Sequence, residues 1–146
     1  MSSEVLYHEV FTVRGGDFEH GGEAATHIKL VLKQFGYAPE IVRRLSIANF
    51  EAEMNLIMYA NEGEIELFIM SDGVRITVTD RGQGIPDVEW ALGEGNSTAT
   101  AEMRARGFGA GLGLPNIRRN SDLFAIESTV GVGTRLDYTV RAQVGS

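Results

Sequence analysis

Asp80-Arg81-Gly82-Gln83-Gly84-Ile85-Pro86 closes an apolar run that begins at Val74, and its reading decides the fold. An acidic residue at the end of a β-rich segment, followed by two glycines, sets a carboxylate against a wall of bare backbone. Farther on, Gly107-Phe108-Gly109-Ala110-Gly111-Leu112-Gly113-Leu114 strips side chains from a turn that opens a predicted helix. Backbone N–H groups bind phosphate best at such a place. Together the two runs describe a nucleotide pocket. A flexible linker would not interleave Phe108, Leu112 and Leu114 with its glycines.

Composition sets the frame around that pocket. A chain of 146 residues, 43% hydrophobic and 23% charged, reads as one soluble globular domain, 1–146. No apolar run approaches the roughly 18 residues of a membrane span. The opening Met1-Ser2-Ser3-Glu4 lacks the features of a secretion signal, so a cytoplasmic location is expected. The absence of cysteine excludes disulfides, thiol catalysis and cysteine-bound metals. A net charge of −7 argues against a nucleic-acid partner, whose binding rests on neutralised phosphates.

Outward from the glycine runs, the pattern is that of one α/β unit without repeats. Tyr7 to Val13 reads as a strand ended by Gly15-Gly16. Ala24, Ile28, Val31, Leu32 and Phe35 recur at helical spacing, with Asp17 as the expected cap and Gly36 as the stop. Pro39 opens a second helix to about Ala60, its buried stripe predicted at Ile41, Leu45, Ala48, Ala52 and Leu56. Glu64 to Met70 and Val74 to Thr79 form a predicted hairpin around Ser71-Asp72-Gly73. Asp87 to Leu92 reads as a short helix, Asn96 to Arg106 as a mobile loop and Leu114 to Asn120 as a helix. Asp122 to Thr129 and Thr134 to Val140 make a last hairpin around Gly131-Val132-Gly133. The expected fold is a two-layer α/β (α+β) sandwich, a mixed and mainly antiparallel sheet with helices on one face.

Glu51 and Asn55 stand four apart on the second helix and project from one side of it, whereas Glu53 points elsewhere. A carboxamide oxygen is a hard neutral ligand for Mg²⁺, and a carboxylate accepts a proton from an attacking hydroxyl. Such a pair is also an ordinary surface contact on a helix. Its weight comes from order. Glu51-x-x-x-Asn55, Asp80-x-Gly82-x-Gly84, the glycines of 107–113 and Gly131-Val132-Gly133-Thr134 follow one another along the chain.

With these motifs the chain resembles the GHKL ATP-binding superfamily of gyrase, Hsp90, histidine kinases and MutL, which shares the Bergerat fold. Glu94-Gly95-Asn96-Ser97-Thr98, Gly109 to Pro115 and Phe124-Ala125-Ile126-Glu127-Ser128 are similar to its small bacterial anti-sigma factor and serine/threonine switch kinase branch. The resemblance implies an ATP-dependent protein kinase that phosphorylates a serine or threonine on a small STAS-type, anti-sigma-antagonist-like partner. It implies ATP or ADP with Mg²⁺ as cofactors, a sigma factor or other effector as a further partner, and allows a homodimer. The alternative from a different class is a non-catalytic regulator whose nucleotide state sets its affinity for a sigma factor or other effector.

Carried over by residue, the resemblance implies Glu51 as the catalytic carboxylate and Asn55 as the Mg²⁺ ligand. Asp80 would accept from the adenine amine, with Gly82 and Gly84 letting the base approach the backbone. Gly107, Gly109, Gly111, Leu112 and Gly113 would form the lid base over the phosphates. Thr134 would sit near the adenine, acting through water. Two departures stand out: Phe50 occupies a place where the branch more often has a small residue, and the lid segment 98–106 is long. Arg104, Arg106, Arg118 and Arg119 suit solvent at least as well as phosphate. His8, His20 and His27 lack metal spacing, and the paired helices of a histidine phospho-acceptor are missing. Trp90 is expected to close the pocket, and Ser97 and Thr98 to belong to the loop.

Overall fold

Strand alternation and helix periodicity generate the two layers directly. The structure, a computed structural model, describes residues 3–93 and 113–145. Strand β1 (Val5–Arg14) leads through a short 3₁₀ turn (Phe18–His20) to helices α1 (Glu23–Gln34) and α2 (Pro39–Tyr59). Strands β2 (Ala60–Met70) and β3 (Gly73–Gly82) follow, then helix α3 (Val88–Leu92). Helix α4 (Leu114–Arg119) and strands β4 (Leu123–Thr129) and β5 (Gly133–Arg141) complete the described chain. The sheet order is β1-β2-β3-β5-β4. Each of its four pairings is antiparallel, so the parallel component that a mixed sheet allows is not found among the described residues.

Period-two patterning sends Ile65, Leu67 and Ile69 of β2, Val74, Ile76 and Val78 of β3 and Leu136, Tyr138 and Val140 of β5 into one core. The helices meet them with Ile28 and Leu32 of α1, Leu45, Leu56 and Ile57 of α2, and Ile117 of α4. Each fully buried leucine or isoleucine contributes about 1.5–3 kcal/mol relative to exposure. The opposite sheet face carries polar and aromatic side chains, as where His8 stacks on Phe68 and Arg75 pairs with Asp137. Inside the core, the Tyr138 hydroxyl donates to Asn49 Oδ1 at 2.7 Å, and burial pushes its pKa far up.

Two expectations change. Asp17 does not cap α1: the 3₁₀ turn intervenes, Asp17 binds His20 Nδ1 at 2.8 Å, and Gly22 takes the N-cap position with φ +95°. The helix is capped from a distance instead. Glu53 of α2, buried at 2% exposure, accepts the backbone N–H groups of Gly22, Ala24 and Ala25 at 3.0, 3.2 and 2.8 Å. One carboxylate thus satisfies three donors of a helix start and complements its dipole. On α2 itself, Val42 takes the buried place expected of Ile41, which is only partly covered.

The Glu53 clasp yields a stability prediction. Glu53→Ala strands three donors, each worth about 1 kcal/mol or more when buried. A loss of roughly 3 kcal/mol lowers Tm by about 6–12 °C for a domain of this size. Calorimetric melting of the variant checks it, and an unchanged Tm contradicts it.

Candidate functional site

Asp80 enters its site by strand alternation: Val74, Ile76, Val78 and Asp80 share the helix-facing side of β3. Its neighbour across β2 is Gly63, which has no side chain to fill the space. On the β5 side, the Thr134 N–H donates to Asp80 Oδ1 at 3.2 Å. The carboxyl is half-buried. Desolvation raises its pKa above the ordinary aspartate value, and the Thr134 hydrogen bond opposes the rise.

A small pocket, partly open to solvent, adjoins this carboxylate. Its walls are apolar on two sides, with Ala52 and Leu56 from α2 facing Val78 and Leu136 from the sheet. Ile85, Tyr59 and Leu114 also line it. A mostly apolar lining with one carboxylate acceptor suits a heteroaromatic ring that carries an amine. Asn55 reaches the same pocket from the next turn of α2.

The rim is held by the β4–β5 hairpin. Gly131 N–H donates to the Gln83 carbonyl at 3.0 Å, and Ile85 N–H donates to Ser128 Oγ at 2.7 Å. Ser128 Oγ also lies 2.8 Å from Thr134 Oγ1. Ser128 was not assigned a role by the sequence; its cross-strand register with Thr134 explains one. The two glycines after Asp80 have packing reasons beyond an approaching ring. A Cβ on Gly82 would stand 3.1 Å from the Tyr59 carbonyl oxygen and from Ala60 Cα. Gly84 has φ +74°, and a Cβ there would lie 2.5 Å from the Thr129 carbonyl oxygen. Gly84→Ala therefore collides with backbone in a conformation that already disfavours a side chain. A loss of about 1–3 kcal/mol is expected, together with weaker ligand binding as the rim is displaced; denaturant titration measures the first.

Glu51 stands one turn before Asn55 on α2. Its carboxylate occupies the space beside Gly113, where any Cβ would overlap Glu51 Oε2. Gly113 has φ +64° and is the N-cap of α4, so the last glycine of the run seats Glu51 against the start of that helix. The structure therefore gathers Asn55, Asp80, Gly84 and Thr134 around one pocket; Gly82, Glu51 and Gly113 are not in its lining, and Glu51 lies in the hollow between α1 and α2, packed on Gly113. Gly107, Gly109, Gly111 and Leu112 lie outside the described residues, as do the loop expected over 96–106, Arg104, Arg106, Ser97 and Thr98. The side chain of Trp90 is also outside the description. Arg118 donates to the Leu92 carbonyl at 3.2 Å, which ties α4 to α3.

The donor set fits magnesium as far as the described residues go. They contain no cluster of three or more histidine, cysteine or acidic side chains that would cage a metal. Mg²⁺ bound to a nucleotide needs no such cage, because phosphates and water supply most ligands and one amide oxygen suffices from the protein.

Residues 41–144 match the family described as histidine kinase-, DNA gyrase B- and HSP90-like ATPase. The chain belongs to this family. The matched range holds each of the pocket residues named above, and the open antiparallel sheet with its helices agrees with the family's α/β fold. Among curated relatives, the serine/threonine-protein kinase RsbT of Bacillus subtilis is 32% identical over 110 residues, which are 73% of this chain and 77% of that protein. An anti-sigma F factor of Caldanaerobacter subterraneus is 31% identical over 121 residues, 80% of this chain and 81% of that one. Another from Thermoanaerobacter sp. is 30% identical over the same length. These relatives place the chain in the anti-sigma factor and switch kinase branch. No helix among the described residues is long and apolar enough to cross a membrane.

Proposed function

We propose that this chain is an ATP-dependent serine/threonine protein kinase of a partner-switching module, whose substrate is a small STAS-type anti-sigma antagonist. The carrying observation is that Asp80 and Asn55 line one mostly apolar pocket, with Glu51 one turn before Asn55 on α2. Asp80 accepts from the adenine amine. Asn55 would give a nucleotide-bound magnesium its protein oxygen. When bound, the metal neutralises charge on the phosphates. Glu51 orients the acceptor hydroxyl and takes its proton as that oxygen bonds to the terminal phosphorus. The bond from that phosphorus to the bridging oxygen breaks, and ADP leaves. Phosphoryl transfer asks a protein for this positioning and little covalent chemistry.

The kinship to RsbT supports the enzyme reading over a regulator without turnover. The test incubates the purified chain with γ-labelled ATP, Mg²⁺ and single-domain STAS proteins of the same genome. A labelled seryl or threonyl residue, located by mass spectrometry, is expected on one of them. Tight nucleotide binding without any labelled partner would overturn the kinase reading.

A further inference from the structure

The two halves of α2 serve two different hollows. Its second half, from Ala52 to Tyr59, lines the nucleotide pocket. Its first half, from Pro39 to Glu51, lines a wide groove against α1. Glu51 is the last groove residue and Ala52 the first pocket residue. A chain lying in the groove therefore runs toward Glu51.

Three observations say what kind of chain fits. The groove has an apolar seat in Val42, Ile47 and Phe50, and Phe50 leaves 49% of its surface exposed beside Glu51. Its rim is basic in a protein of net charge −7. Lys29 and Lys33 are the only lysines in the sequence, both line the groove from one face of α1, and neither forms an ion pair among the described residues. Arg43 adds a third cation, though it is held by Glu40 at 2.7 Å. Finally, Tyr37 is 5% exposed, and neither its hydroxyl nor Ser46 Oγ has a hydrogen-bond partner among the described residues. Both residues line the groove, and a docked backbone completes those bonds after a small side-chain rotation.

We infer that the α1–α2 groove is a docking site for an acidic segment of the partner protein, anchored by an apolar side chain against Phe50. Concentrating the lysines at one place on an acidic surface favours acidic partners by attraction. Phe50, unexplained by the nucleotide pocket, becomes the anchor's platform. The inference rests on the kinase reading only for the purpose of docking, since Glu51 then meets the acceptor hydroxyl.

The probe is a short peptide with leucines set among glutamates, compared with a version whose glutamates are lysines. It is titrated into the isotope-labelled full chain with ADP and Mg²⁺ present. Amide shifts are expected along 29–33 and 42–50 with the acidic peptide only. Lys29→Glu with Lys33→Glu, and separately Phe50→Ala, should each weaken it about tenfold, and added salt should weaken it further. ADP affinity of both variants should stay within about twofold of the parent, since neither site faces the nucleotide pocket. Equal binding of both peptides, shifts confined to another face, or no binding to a folded chain that holds ADP overturns the groove. A dimer seen by sedimentation and lost in the lysine variant overturns it in favour of self-association. Acidic-peptide binding by a chain that takes no nucleotide keeps the groove and defeats the kinase reading instead.

Discussion

Asp80→Asn should lower the affinity for ADP and ATP by about ten- to a hundredfold, yet leave the fold as stable as before or more so. The affinity loss follows if the pocket carboxylate accepts from the adenine amine as proposed, since a hydrogen bond to an ionised group is worth roughly 1.5–3 kcal/mol. Discrimination against guanine nucleotides should narrow as well, because an amide donates to the guanine carbonyl that a carboxylate repels. The stability result runs the other way. Burial raises the Asp80 pKa, so the folded protein holds this proton more tightly than the unfolded chain does. Stability from this group is greatest below the unfolded aspartate value, declines as pH climbs toward the raised folded value, and is flat above it. Near neutral pH the ionised carboxylate costs stability, and asparagine removes that cost. Melting curves of parent and variant should converge as the buffer is made acidic. Unchanged nucleotide affinity in a folded variant would remove Asp80 from the site.

The placement of Asp80 was legible because a strand's alternation has only two outcomes, and Val74, Ile76 and Val78 settle which side is buried. The place of Asn55 on the pocket wall was legible for a similar reason, through helix periodicity, whereas Glu51 one turn earlier lines the hollow between α1 and α2. Glu53 was not legible. Its spacing put it off the Glu51–Asn55 side, but its partners are N–H groups of residues 22–25, which only tertiary packing brings near. The same blindness misassigned Asp17, a good local cap whose helix begins one 3₁₀ turn later. Ser128 shows a third kind of limit. Ser128 belongs to a segment that resembles the branch, but its role is not readable until the hairpin register sets it opposite Thr134. The glycines of the Asp80 motif were found for one reason and are constrained by another, since their missing side chains make room for protein backbone. What pattern reveals is therefore which face a residue occupies; what it hides is the partner on the other element.

Glu51→Gln is expected to cut phosphoryl transfer by about a hundred- to ten-thousandfold, the usual worth of a positioned general base, while ADP affinity stays within about twofold. Glutamine has nearly the same shape, so it still fills the space beside Gly113 and disturbs neither α2 nor the start of α4. What it lacks is the capacity to take a proton. The loss should appear in kcat with KM for ATP little changed, the pattern of an interaction made only in the transition state. Comparison with Glu53→Ala separates chemistry from architecture, because these neighbours on α2 face different structures. The Glu53 variant should melt early and lose every function together, whereas the Glu51 variant should melt like its parent and lose one. Transfer that survives Glu51→Gln at the parental rate would assign the proton to another group. Partner binding by a wild type that transfers no phosphate would make the carboxylate a wedge holding Gly113, and the protein a nucleotide-gated regulator.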